Sequence, residues 1–388
     1  MRNRLRVAMW LAAGCAVLAG VAGFFCGKDK AYAMKNVDNS AVVEQNVEEI
    51  LQGMTLRDKI CQMMFVAPEQ IANAEAVTKT DETMKTALEI YPVGGIMYSK
   101  PNLVSKGQTK KMIQGAQSAS KIPMFIAADE EGGTVNRLMK KLGTTYIGSM
   151  YDYKDQGIET AYGNAYTIAS DMSQLGFNLD FAPVADVWSN PDNTVIGKRA
   201  YSDDYTQAAT LVSAAVQGFH DGGVLCTLKH FPGHGDTVED SHKGMAYVHK
   251  TRQEIYEQEL QPFATGIAAG ADFVMVGHLL VNSLDEQYPA SLSPTIIGDI
   301  LRKDLQYDGI VITDALEMKA LADQYTVEEV AVQAVIAGND VLLEPIDVGR
   351  TIQALTDAVA QGIISEERIN ESVRRILKVK VARGIIQE

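Results

Sequence analysis

Eight short apolar runs, spaced by longer stretches of helical period, constrain this chain more than any other feature. The runs fall at 60–67, 94–98, 123–128, 177–185, 224–230, 273–278, 309–313 and 340–343. Each is short, apolar throughout and bounded by polar or turn residues, which is how a strand buried on both faces reads. Between them, 158–175, 205–220, 252–269, 327–336 and 366–381 repeat their apolar positions every three to four residues, as amphipathic helices do. Eight strands alternating with helices predict an α/β fold, a closed (β/α)8 TIM-type barrel with an outer helical ring. A doubly wound open sheet would carry a glycine-rich turn after its first strand, where this chain has Phe65-Val66-Ala67-Pro68. The last helical pattern runs to the C-terminus, so a single catalytic domain is expected over 47–388.

The N-terminus reads differently. Arg2, Arg4 and Arg6 precede an apolar run from Val7 to Cys26, and Ala31-Tyr32-Ala33 offers small residues at the two positions that determine cleavage. Residues 1–33 are expected to be a signal peptide cleaved after Ala33. An uncleaved N-terminal membrane anchor is the alternative, because the run is long, and a degenerate lipoprotein site at Leu11-Ala12-Ala13-Gly14-Cys15 ranks third. Each places the body outside the cytoplasm, extracellular or in the cell envelope. The polar residues 34–46 read as a linker. Beyond Ala33 only Cys61 and Cys226 remain, each in an apolar run, which makes neither a disulfide framework nor a zinc ligand set. The formal net charge of -14 argues against a nucleic-acid groove. A monomer with a neutral or cationic small ligand is the expectation.

In a barrel of this kind, side chains just past the C-terminal end of each strand converge on one pocket. Polar residues recur at those positions: Asp129 after the third strand, Asp186 after the fourth, Lys229 and His230 on the fifth, His278 on the sixth and Asp314 on the seventh. A lone strand-end Asp is commonly a helix cap, so the argument rests on the shared location. Asp314, ionised and beside an electrophilic carbon, would be a nucleophile forming a covalent intermediate; a cap for the following turn is its alternative. Such chemistry needs a group that protonates a leaving oxygen and later activates water. His242 suits it by its unperturbed pKa, with Asp240 orienting the ring, and a loop histidine without a role is the alternative. Lys229 reads as a hydroxyl-binding donor or half of a buried ion pair, and Lys229 and His230 both reach the pocket only if the strand bends. Pro232-Gly233 provides such a bend. His234 is expected to fix the loop. Arg137 and Arg199 offer hydrogen-bond forks for a polar ligand, with surface salt bridges as their alternative.

These residues fall within a set of motifs. Asp129-Glu130-Glu131-Gly132-Gly133 with Arg137, Asn178-Leu179-Asp180-Phe181-Ala182-Pro183-Val184-Ala185-Asp186, Val195-Ile196-Gly197-Lys198-Arg199, Lys229-His230-Phe231-Pro232-Gly233-His234-Gly235-Asp236, Asp240-Ser241-His242 and Thr313-Asp314-Ala315-Leu316 resemble glycoside hydrolase family 3. The branch they are most similar to is the single-domain β-N-acetylglucosaminidases acting on peptidoglycan fragments. The resemblance implies Asp314 as nucleophile of a retaining β-N-acetylhexosaminidase and His242 as acid/base in a dyad with Asp240. It also implies Asp129, Arg137, Arg199, Lys229 and His230 as binders of the N-acetylglucosamine, and His278 at the pocket rim. Its partners would be N-acetylglucosamine-containing muropeptides, with no metal and no cofactor. Glu130 departs from the branch, which usually has Gln there, and Thr134 stands where it usually has Arg.

Four rivals follow from the same residues. A metal-dependent hydrolase could draw ligands from His230, His234, His242, His278 and Asp314, but Met63-Met64-Phe65-Val66 lacks the first-strand histidine pair such barrels use. A Schiff-base lyase would use Lys229. An exported sugar-binding protein would keep the pocket and lack turnover, and a β-glucosidase or phosphorylase of the same family remains an alternative.

Overall fold

The computed structural model describes residues 42–239 and 244–387. Eight strands form the central sheet: β1 Met64–Val66, β2 Gly95–Met97, β3 Phe125–Ala128, β4 Leu179–Asp180, β5 Leu225–Phe231, β6 Phe273–Val276, β7 Ile310–Thr313 and β8 Leu342–Leu343. All neighbours pair in parallel, in chain order from β1 to β7, and β8 pairs with β1. A parallel bridge between Ile312 and Val341 joins β7 to β8 and closes the barrel. The expected (β/α)8 barrel is therefore the fold, with each of the eight predicted runs contributing one strand.

Aromatic rings fill much of the interior. Phe65 packs on Phe181 with centroids 5.2 Å apart, and Phe125 meets Phe273 edge to face at 5.1 Å. The helices between strands lie where their periodicity put them: Ile158–Leu175, Tyr205–Asp221, Val327–Ala337 and Glu366–Ala382. No helix among the described residues is long and apolar enough to cross a membrane. The expected signal peptide or anchor lies outside the described residues.

Three local expectations need correction. The first half of the 60–67 run is helical, within Leu56–Gln62. A capping box explains it: the Asp58 amide donates to Thr55 Oγ1 at 3.1 Å, and the Thr55 amide donates to Asp58 Oδ2 at 3.2 Å. In the fourth run the regular ladder is confined to Leu179–Asp180, because Pro183 has no N–H to continue it. Pairing with β5 resumes beyond it, through a bridge between Val184 and Lys229. Finally, the linker expected through Asn46 is helical over 42–46, as part of a helix over 42–52. Val43, Val47, Ile50 and Leu51 give that helix an apolar stripe packed on the core, so it starts earlier than the first residue of the expected domain.

A two-stranded parallel pair, Ala246–Tyr247 with Leu279–Leu280, ties the long loop after β5 to the loop after β6. The Val248 amide extends it by donating to the Leu280 carbonyl at 2.9 Å. This clasp lies on the side of the barrel to which the strand C-termini point.

Candidate active site

The strand-end residues form a continuous polar lattice at that mouth. Lys229 Nζ lies 2.8 Å from Asp129 Oδ1 and 2.6 Å from Glu131 Oε1. Arg137 reaches the other Asp129 oxygen at 3.1 Å. Arg199 grips Glu131 with a fork, Nε and one terminal nitrogen each 2.8 Å from a carboxylate oxygen. Burial alone would raise Asp129 and Glu131, but the neighbouring cations outweigh it and hold both carboxyls below their ordinary values. Lys229 is buried too, and Asp129 and Glu131 overcome that burial and push its ammonium up. Asp129, Arg137 and Arg199 retain some exposure, so hydrogen-bonding atoms of this lattice face the mouth.

Glu130, between these partners, points elsewhere. Its carboxylate accepts the amides of Arg137 at 2.5 Å, Leu138 at 2.8 Å and Met139 at 3.0 Å, closing the start of the short helix Leu138–Leu142. Two carboxylate oxygens serve three donors there, whereas a glutamine offers a single acceptor oxygen. Thr134 is exposed on the adjoining turn.

Asp186 organises the segment after β5. Its ionised carboxylate accepts the His230 amide, the His230 Nδ1–H at 2.7 Å and the His234 amide at 2.7 Å. Burial opposes its charge and His230 and His234 outweigh that opposition. A carboxylate only accepts, so Nδ1 of His230 carries a proton and points it at Asp186. The bend expected after Lys229 is present as a register shift between Leu228 and Phe231, which brings Lys229 and His230 to the mouth together. Peptide bonds Lys229-His230 and Phe231-Pro232 are cis. His234 is built into the loop: Nδ1 lies 2.7 Å from Thr237 Oγ1, and its carbonyl accepts from Asn193 Nδ2 at 2.8 Å. Asp240 and His242, the expected dyad, lie outside the described residues.

Asp314 follows β7 and is half-buried at the mouth, its Oδ1 accepting its neighbour Ala315's amide at 2.8 Å. No regular helix begins there, the next being Lys319–Ala322 with Met318 at its cap position, so capping is not what holds Asp314. His278 is not at the rim. It is wholly buried, its Nε2–H directed at the Ala315 carbonyl at 2.9 Å and its Nδ1 2.7 Å from Ser291 Oγ. Rings with both nitrogens so engaged hold backbone, and here the backbone is that of the residue after Asp314.

Two residues of the mouth escaped the sequence reading. Glu131 lies two residues beyond Asp129, which already occupies that strand end, so position does not single it out. Glu344 follows β8 in Leu342-Leu343-Glu344, the same position relative to its strand that singles out Asp314. Burial, then Glu317, Asp129 and Asp314 beside it, push its carboxyl up to about 8. Among the described residues, one group of side chains has metal-ligand character: His220, Cys226 and Asp272. It sits at the opposite end of the barrel, where Arg383 already bonds Asp272 at 2.7 Å.

A parallel barrel with ionised side chains gathered near a half-buried aspartate at its C-terminal mouth has the architecture of a barrel enzyme. The chain belongs to glycosyl hydrolase family 3, whose N-terminal domain matches residues 55–379. It is 35% identical over 334 residues to beta-hexosaminidase A of Pseudoalteromonas piscicida, covering 79% of this chain and 56% of that protein. To beta-hexosaminidase LpqI of Mycobacterium tuberculosis it is 32% identical, covering 84% of this chain and 82% of the relative. The structure of a family 3 beta-N-acetylglucosaminidase from Paenibacillus sp. superposes with a TM-score of 0.80 at 38% identity, over 86% of this chain and 64% of that one. The chain thus spans just over half of the Pseudoalteromonas protein and under two thirds of the Paenibacillus one.

Proposed function

We propose that this protein is an exported, retaining β-N-acetylhexosaminidase that releases terminal β-linked N-acetylglucosamine from peptidoglycan-derived muropeptides. The observation that carries the reading is the convergence of Asp314 with the Asp129-Lys229-Glu131-Arg199 lattice at one barrel mouth. Relatives named as hexosaminidases add support.

In this mechanism the Asp314 carboxylate attacks the anomeric carbon as the bond to the leaving oxygen breaks, and His242 gives that oxygen its proton. Water then attacks the glycosyl-enzyme, His242 takes its proton back, and the ester to Asp314 breaks. Asp240 orients the ring and stabilises the imidazolium that is present before the first step and formed again in the second. Asp129, Arg137, Arg199, Lys229 and His230 hold the sugar's hydroxyl and amide groups. His278 contributes by fixing the Ala315 carbonyl, a positioning part. The export reading supplies the muropeptide context and the extracellular or envelope location; mass spectrometry of the mature N-terminus tests it, with Met34 expected.

The test is incubation with an aryl N-acetyl-β-glucosaminide and with digested peptidoglycan. Release of N-acetylglucosamine with the β configuration retained in the first-formed product is expected. Inverted product would remove Asp314 as nucleophile. Tight sugar binding with no turnover would instead identify an exported binding protein.

A further inference from the structure

Glu344 holds an unusual place at the mouth. Its backbone is left-handed, with φ 44, a region a glutamate seldom enters. Three main-chain tethers hold it there. The Glu344 amide donates to the Phe65 carbonyl at 2.7 Å, the Leu316 amide donates to the Leu343 carbonyl at 2.9 Å, and the Leu343 amide donates to Thr313 Oγ1 at 3.0 Å. Two of these bind the end of β8 to the segment that flanks Asp314. Glu344 is therefore fixed beside Asp314 by geometry independent of its own side chain.

The side chain itself is partly exposed and makes no hydrogen bond or ion pair among the described residues. The charged groups that face it are Glu317 and Asp314 from the loop after β7, Asp129 from the end of β3, and Arg137 from the loop that follows. Arg137 is bonded to Asp129. The other cations of the lattice are committed as well, Lys229 to Asp129 and Glu131, Arg199 to Glu131. A carboxylate added to this company would meet three like charges and, among the described residues, no uncommitted cation.

We infer that Glu344 serves as a neutral carboxylic acid on the nucleophile's side of the pocket, donating a hydrogen bond to an oxygen of the bound N-acetylhexosamine and so acting as a further substrate-positioning residue. This rests on the hexosaminidase reading above. A neutral acid suits the place for two reasons. It gives a donor where ionised carboxylates only accept, and it adds no negative charge beside Asp314, which must stay ionised to attack.

The experiment is a pH profile of kcat/KM on an aryl N-acetyl-β-glucosaminide for the wild-type protein, Glu344→Gln and Glu344→Met. Wild-type kcat/KM is expected to fall on the alkaline side through a group titrating near 8, the value to which Glu344 is pushed. Glu344→Gln keeps a donor and cannot ionise, so that fall should vanish while the remaining activity exceeds that of Glu344→Met. Glu344→Met should raise KM about tenfold at neutral pH, the size of one lost hydrogen bond, with a smaller change in kcat. Calorimetric titration with N-acetylglucosamine should show the same ordering without turnover. Equal losses in the two variants, or an alkaline fall that survives Glu344→Gln, would overturn the inference. Labelling of the wild-type protein at Asp314 by a 2-fluoro sugar separates the two readings. Labelling present with an unmoved profile rejects Glu344 alone, while neither labelling nor turnover rejects the hexosaminidase reading.

Discussion

Glu131 joins two cations that would otherwise repel each other beneath the mouth. Lys229 and Arg199 both reach it, and it is 4% exposed. Replacing it with alanine leaves Arg199 with the Val195 carbonyl at 3.0 Å and Lys229 with Asp129. Removing one member of a buried charge network costs roughly 3–5 kcal/mol, because the remaining charge stays desolvated. Glu131→Ala is therefore expected to lower the urea midpoint markedly and to weaken sugar binding along with it. A stability within about 0.5 kcal/mol of wild type, the usual range for surface changes, would mean that water replaces the carboxylate and the lattice is looser than its distances imply. At this scale the sequence was legible where a side chain ends a strand and opaque where it lies one step further. Asp129, Lys229 and Asp314 follow from position alone. Glu131 is seen only when the fold brings Arg199 across from 68 residues away.

The segment after β5 shows the same division at the level of an element. Its composition marked it as functional, and its bend was expected from Pro232-Gly233, but what holds it lies in distant backbone. A β-carbon placed on Gly235 would sit 1.6 Å from the Val187 carbonyl oxygen, and the Gly235 carbonyl accepts the Asn190 amide at 3.3 Å. Loop and neighbour thus pack main chain against main chain, with no flexible side-chain end to yield. Gly235→Ala must shift the loop that leads to Asp240 and His242. Overpacking of this kind costs about 1–3 kcal/mol. Misplacing a catalytic group by an ångström costs on the order of a hundredfold in rate. The expected outcome is a folded protein with kcat/KM reduced about a hundredfold, compared by thermal melting and kinetics on the same preparation. Near-normal kinetics would show that the loop's catalytic end is set from its other side, by the pair Ala246–Tyr247 with Leu279–Leu280. Elsewhere, element type followed periodicity closely for long helices and failed over 60–62, at the start of the first strand run. There an apolar run satisfied both periods and a capping box at Thr55 decided for helix.

At the scale of the whole molecule, burying a charge is most costly where no opposite charge stands beside it, and Lys380 is such a case among the described residues. Lys380, on the last helix, is fully buried, donates to Gln62 Oε1 at 2.8 Å and lies 5.0 Å from the centroid of Phe125. Burial lowers its ammonium from 10.5 to about 7. The helix's periodicity foretold its buried stripe but not that a lysine would occupy it, since lysine normally reads as the solvated face. The unfolded chain binds a proton here below pH 10.5, and the folded chain does so only below about 7. Between those values the unfolded state holds more protons, so this group makes stability rise with pH and imposes its full cost below the window. That cost is roughly 4–5 kcal/mol at one pH unit per 1.36 kcal/mol, an upper figure for a side chain that keeps one hydrogen bond. Lys380→Met removes it, at the expense of leaving Gln62 Oε1 without its donor, about 1–3 kcal/mol. Urea unfolding of both proteins at pH 7, 8.5 and 10 isolates the effect, because all other titrations cancel in the difference. The variant should be the more stable by about 1–3 kcal/mol at pH 7, and the gap should close or reverse by pH 10. A gap independent of pH would mean that Lys380 stays charged in the fold, held by the face of Phe125 and the Gln62 carbonyl.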